Sequence, residues 1–134
     1  MAALPLPRHS RFLRLLKISL VTGALYDFAF AALMIAAPDL PTRLLELPLP
    51  GATFYLWIMA IFLTMLGALY LFAAYDPRSY GGVIRVAIVG RSAGAIAFAA
   101  AAAGDNSLWG LYPLAAADAL FALAHAVFWW PTRR

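Results

Sequence analysis

The chain contains no cysteine. Disulfides, thiolate metal sites and thiol redox catalysis are therefore excluded. Charge is also scarce, at 12% of 134 residues, against about 25% in a typical soluble domain. Neither a metalloprotease H-E-x-x-H, a P-loop nor a dinucleotide fingerprint occurs, and no alternating apolar–polar pattern suggests a membrane barrel. What is abundant is apolar surface: 65% of residues are hydrophobic and the mean hydropathy is +0.84. A globule of this size buries only about two-thirds of its chain's surface. That composition excludes an ordinary soluble domain and a disordered chain alike.

Four apolar stretches, 18–37, 53–75, 83–103 and 108–130, each run 20 residues or more. A bilayer core needs about 20 helical residues to cross it. Unpaired backbone groups are costly in hydrocarbon, so each stretch is predicted to be a helix. The expected fold is all-α, an up-down four-helix membrane bundle forming one domain over 1–134. The first stretch has a basic lead and small residues near Ala31 and Ala37, as a signal peptide would. Its length and its central Asp27 favour an uncleaved span.

Basic residues set the expected orientation. Arg8, Arg11, Arg14, Lys17, Arg78, Arg85, Arg133 and Arg134 fall on one side, Arg43 alone on the other. The positive-inside rule then places both termini of a multi-pass protein in the cytoplasm. Tyr55, Trp57, Trp109 and Tyr112 would mark the outer interface, and Tyr75, Tyr80, Trp129 and Trp130 the inner one. The net charge of +4 comes from this inner fringe. No basic module lies outside the spans, so nucleic acid is not an expected partner.

The connections are short. Pro38, Pro41, Pro48 and Pro50 punctuate the first. Asp39 can cap a turn starting at Pro41, and Thr42–Leu47 reads either as a short interfacial helix or as an extended loop. Residues 76–82 form a turn built from breakers, and Gly104–Ser107 offers a terminal glycine and cap residues.

Charges inside spans are the informative exceptions. Counting at about 1.5 Å per residue puts Asp27 and Asp118 at the centres of the first and fourth spans, and Arg91 about 3 Å from the centre of the third. His125 follows Asp118 by seven residues and returns to the same face, roughly 10 Å nearer the basic side. Each such charge costs about 2.5–3.5 kcal/mol in lipid. Turning all three inward and letting Arg91 bridge two carboxylates removes most of that cost. The formal charge left is −1, to be balanced by a proton, by His125 or by a bound cation. Two readings stay open: a network that locks the helices together, or a ligand, quinone, lipid or proton site. A metal site is not expected, because one histidine and two aspartates lack ligand spacing.

Gly90 and Gly94 form a G-x-x-x-G spacing, which suits close packing within the bundle or a homodimer. Thr22 and Tyr26 share a face of the first span, and Thr64, Gly67 and Tyr70 lie near one another on the second. Their hydroxyls can serve helix–helix hydrogen bonds, the central charges or a ligand head group.

Pro38 closing the first span, Gly67 in the second, Gly90-Arg91-x-x-Gly94 in the third and Asp118 in the fourth resemble the DoxX-like small membrane proteins. The resemblance implies a four-helix bundle of the bacterial inner membrane, in some relatives associated with quinone-linked or oxidative-stress complexes. It supplies no catalytic residues, and the absence of cysteine argues against a thiol-based role. The leading expectation is a non-catalytic subunit or partner of a membrane complex, holding a lipid or quinone at the midplane. An intramembrane isomerase-type enzyme, with Asp118 or Asp27 shuttling a proton, is the alternative. A proton or small-solute carrier assembled as an oligomer is a third.

Overall fold

The computed structural model describes residues 8–48 and 51–133. The expectations resting on Pro50 and Arg134, and on the side chain of Arg8, lie outside the described residues. Every regular element among those described is helical. In chain order these are α1 (Arg8–Ala36), α2 (Asp39–Leu45), α3 (Thr53–Tyr75), α4 (Gly81–Gly104) and α5 (Leu111–Trp129). One-turn 3-10 segments, Asn106–Leu108 and Trp130–Thr132, flank α5. Four helices are long and apolar enough to cross a membrane, so this is a small multi-pass membrane protein.

Most boundaries follow from breakers. Pro38 ends α1, which leaves the helix at Ala36. Asp76 closes α3: its carboxylate accepts from the Ser79 hydroxyl and from the backbone N–H groups of Arg78 and Ser79. These bonds, the Ser79 hydroxyl first, hold the Asp76 carboxyl below the usual carboxylate range. Pro113 fits only in the first turn of a helix, so α5 starts at Leu111 and not at 108 as the hydropathy run suggests. At the other boundary, α1 begins ten residues before its apolar stretch. Long basic side chains tolerate a helix that extends out of the hydrocarbon, because their stems stay apolar and their heads reach water.

The first connection corrects two expectations. Its helix is α2, Asp39–Leu45, not 42–47. Asp39 makes no side-chain cap; its carbonyl instead accepts from the Thr42 hydroxyl at 2.8 Å. Glu46 ends α2 with a left-handed backbone, φ 51°, a conformation that disfavours side chains. Its carboxylate accepts from Trp109 Nε1 at 3.2 Å, tying α2 to the segment before α5. Gly110 lies directly against the Leu45 carbonyl, where a Cβ would overlap it.

The long helices form two antiparallel pairs. α1 packs chiefly on α3 and α4 chiefly on α5; α1 also meets α5, and α3 meets α4 over a smaller area. The interior is made of small residues and a few large ones. Leu16, Leu20, Ala24, Tyr70, Ala73, Ala74, Ile84 and Ala87 form one buried cluster. Large residues point outward: Phe62 is 62% exposed, Val89 68% and Ile96 70%. This inversion suits lipid, where burial of apolar side chains offers no driving force and close backbone approach does.

The Gly110 contact gives a direct test. Gly110→Ala must push the α2 end away and should destabilise the bundle by about 1–3 kcal/mol, as overpacking does. Gly90→Ala, whose Cβ meets nothing within 4 Å, should leave the unfolding temperature in detergent unchanged. Equal unfolding temperatures for the two variants would contradict the docking of α2.

Candidate functional site

Ser19, Gly23 and Asp27 are spaced by four along α1 and share its inner face. Asp118, Phe121, Ala122 and His125 share that of α5 by the same rule. Between them α4 delivers Arg91. The structure brings Asp27, Arg91 and Asp118 together in the dry interior, with exposures of 0%, 6% and 8%. Arg91 Nη2 donates to Asp27 Oδ1 at 2.5 Å and Nη1 to Asp118 Oδ1 at 2.6 Å. Its Nε donates to the Tyr70 hydroxyl at 3.3 Å. The fork is thus split between two acids on different helices, leaving one N–H on each Nη uncommitted.

Aromatic rings complete the shell. The guanidinium carbon sits 5.3 Å from the Tyr26 ring, 5.6 Å from Tyr70 and 5.1 Å from Phe121. Desolvated cation–π contacts are worth about 2 kcal/mol or more; the rings carry no net charge, so they supplement the carboxylates and do not replace them. Gly94 makes the arrangement possible, because a Cβ there would lie 2.5 Å from Asp118 Oδ2. Gly90 has no such role: it is exposed and open within the chain. The G-x-x-x-G spacing therefore does not act as one packing seam inside the bundle. Its second glycine makes room for a carboxylate, and its first faces outward.

Two of the singled-out hydroxyls do not join. Thr64 donates to the Ala60 carbonyl of its own helix at 2.8 Å, and Thr22 likewise to Ile18 at 2.9 Å. A threonine in lipid satisfies its hydroxyl most cheaply on the preceding turn. His125 is buried on the same α5 face as Asp118 but stands apart from the ion pairs. Its Nδ1 meets Ser19 Oγ at 3.2 Å. Ser19 Oγ also lies 3.0 Å from the Leu16 carbonyl and spends its one proton there. Neither His125 Nε2 nor Asp27 Oδ2 has a partner, and both are buried.

Ser19, Phe121 and Gly23 were not singled out from sequence. Their signal was helical spacing: Gly23 and Ser19 lie four and eight residues before Asp27, and Phe121 lies three after Asp118 and four before His125. Gly23 lets Tyr70 lie across α1, 3.2 Å from where a Cβ would stand. The string Gly90-Arg91-Ser92-Ala93-Gly94 also spells G-x-S-x-G, the nucleophile elbow of many hydrolases. Ser92 sits mid-helix and donates to the Ile88 carbonyl at 2.8 Å, so the strand–turn–helix context of that motif is missing here.

Beside the ion pairs, on the side away from the chain ends, lies a cavity of about 120 Å³. Tyr26, Phe30, Met59, Leu63 and Phe98 supply apolar walls, and Arg91 and Asp118 the polar end. Its walls come from all four long helices.

The charges can be tested as a unit. Arg91→Met leaves two buried carboxylates without a counter-charge and should cost about 3–5 kcal/mol in detergent unfolding. Asp27→Leu/Arg91→Met/Asp118→Leu should recover most of that loss. A single variant as stable as the wild type would show that the pairs carry no weight. In comparisons with known proteins, the chain matches no family model, no curated protein and no solved structure.

Proposed function

We propose that the protein is a non-catalytic subunit or partner of a larger membrane complex and holds the polar end of an apolar ligand at Arg91 and Asp118. The cavity of about 120 Å³ opening on those two side chains carries this reading. Arg91 keeps two N–H groups beyond its carboxylate and Tyr70 bonds, suited to a carbonyl or phosphate oxygen. The walls suit a ring or the start of an acyl chain; engineered apolar cavities of about 150 Å³ admit benzene. At about 120 Å³ the cavity takes only the inserted end of such a molecule; a quinone carbonyl edge or a lipid head-group oxygen meets the polar demand, with the rest of the ligand left toward the bilayer. Entry from the bilayer between α3 and α4 needs no soluble vestibule.

A proton-shuttling enzyme is the second reading. It draws on Asp27 Oδ2 and His125 Nε2, two buried polar atoms without partners. Such atoms cost about 1–3 kcal/mol each and are retained most readily where chemistry uses them. Cytoplasmic placement of both chain ends belongs to the same proposal and rests on the basic residues of one end; residence in the inner membrane rests on the resemblance to DoxX-like proteins. Membership among DoxX-like proteins rests on Pro38, Gly67, Gly90-Arg91-x-x-Gly94 and Asp118.

Two experiments test these points. Leu63→Trp fills the cavity without touching the ion pairs. It should weaken decylubiquinone binding, followed by native mass spectrometry, at least about tenfold, a loss of about 1.4 kcal/mol, while the unfolding temperature holds. Unchanged retention in the variant, or none in the wild type, removes the quinone reading. For orientation, Gly51→Cys and Gly82→Cys introduce lone thiols at open positions of a cysteine-free chain. An impermeant maleimide should label the first in intact cells and the second only after lysis; the reverse pattern inverts the topology.

A further inference from the structure

The end of the bundle carrying the chain termini holds a second cavity, of about 290 Å³, unconnected with the midplane residues. Three arginines line it from three segments: Arg78 in the α3–α4 turn, Arg85 on α4 and Arg133 after the last 3-10 turn. Local structure places each of them. Arg85 is one helical turn beyond Gly81, the first residue of α4, which also lines the cleft. Thr132 is buried and donates to the Trp129 carbonyl at 2.8 Å, closing the turn that carries Arg133. Trp129 forms one wall, 3.9 Å from where a Gly81 Cβ would stand.

Two of these cations share one ring. Arg85 lies 5.8 Å and Arg133 5.5 Å from the centre of the Trp129 ring. Arg133 also stacks on Trp130, 3.0 Å from the centre of its ring, so the indoles hold cationic heads at the mouth of the cleft. Among the described residues the only ion pairs are those of Arg91, and no described carboxylate pairs with these arginines. Asp76, next to the cleft residue Pro77, accepts from Ser79 and the Arg78 backbone. The first turn of α4 adds the positive end of a 24-residue helix, and no side chain caps it.

We infer that this cleft is a phosphate-binding site, fitted to the phosphodiester of an anionic phospholipid or to a free phosphate ester. Planar guanidinium forks match phosphate oxygens two at a time. The volume lies near the lower bound of small-ligand pockets, about 300 Å³; it takes a head group and leaves acyl chains outside. Trp129 and Trp130 stand where amphipathic rings mark the bilayer surface, the depth at which lipid phosphates lie. Leu13 and Pro77 supply an apolar margin on which a glycerol backbone can rest.

The test uses the full chain in mixed micelles containing phosphatidylglycerol, cardiolipin and phosphatidylcholine, with retained lipid read by native mass spectrometry. The wild type should keep the anionic lipids about tenfold or more over phosphatidylcholine. Arg85→Gln/Arg133→Gln should lose that preference, since each basic group at the surface contributes to anionic binding. Arg43→Gln, at the opposite end, should keep it. An arm with added inorganic phosphate separates the sources: displacement of lipid assigns the site to free phosphate esters, and persistence assigns it to lipid. Should the double variant unfold, Arg78→Gln and the fall of wild-type retention with rising salt answer the same question. Equal retention of all three lipids by the wild type, or an unchanged preference in the folded variants, overturns the proposal.

Discussion

A guanidinium inside a membrane protein has few stable surroundings. Water is absent, the charge stays on, and lipid offers no acceptor. Arg91 is stabilised by two carboxylates from two other helices, a tyrosine hydroxyl and three aromatic faces. That requirement orders the rest of the bundle. It sets the rotation of α1, α4 and α5 about their axes, since Asp27, Arg91 and Asp118 must all point inward at one depth. It places glycine at 94, where any side chain would strike Asp118. It holds Tyr70 across Gly23, and through Tyr70 it engages α3, which contributes no charge of its own.

Around this centre the molecule changes character along its axis. Toward the chain ends lies the packed cluster of Leu16, Leu20, Tyr70 and Ile84, then the arginine-lined cleft. In the other direction lies the cavity beside Arg91, then the cap formed by α2, Glu46 and Trp109. The cluster is dense because its alanines let the helices approach, whereas all four long helices leave the cavity open beside Arg91. Packing thus differs between levels of the same bundle.

The architecture was legible in the sequence because membrane spans announce themselves by length and apolarity alone. The depth of Asp27, Arg91 and Asp118 followed from counting residues within spans, and the structure sets the three side chains in contact. Side-chain choices were less legible. Thr64 could serve a partner helix or its own preceding turn, and a single sequence carries nothing to decide between them. Gly90 and Gly94 look equivalent as letters, yet one faces outward and the other accommodates a carboxylate, because rotation about α4 is set by Arg91. His125 shares the Asp118 face but stands apart from the ion pairs and bonds Ser19. The bounds of α1 and α2 escaped notice because hydropathy reports where lipid begins and not where a helix does. Arg78, Arg85 and Arg133 read as orientation signals; only the fold shows that they converge.

The split of Arg91 between Asp27 and Asp118 also has a temporal side. Synthesis is vectorial: α1 leaves the ribosome first, α4 later and α5 last. α4 is mostly alanine and glycine, and a centred arginine adds about 2.5–3.5 kcal/mol to its transfer into hydrocarbon. When it arrives, one acid is already waiting in α1 and the other has not been made. Asp27 is therefore the acid already made when α4 emerges, and Asp118 follows it. An α4 inserted with neither acid beside it would strand a bare cation among acyl chains.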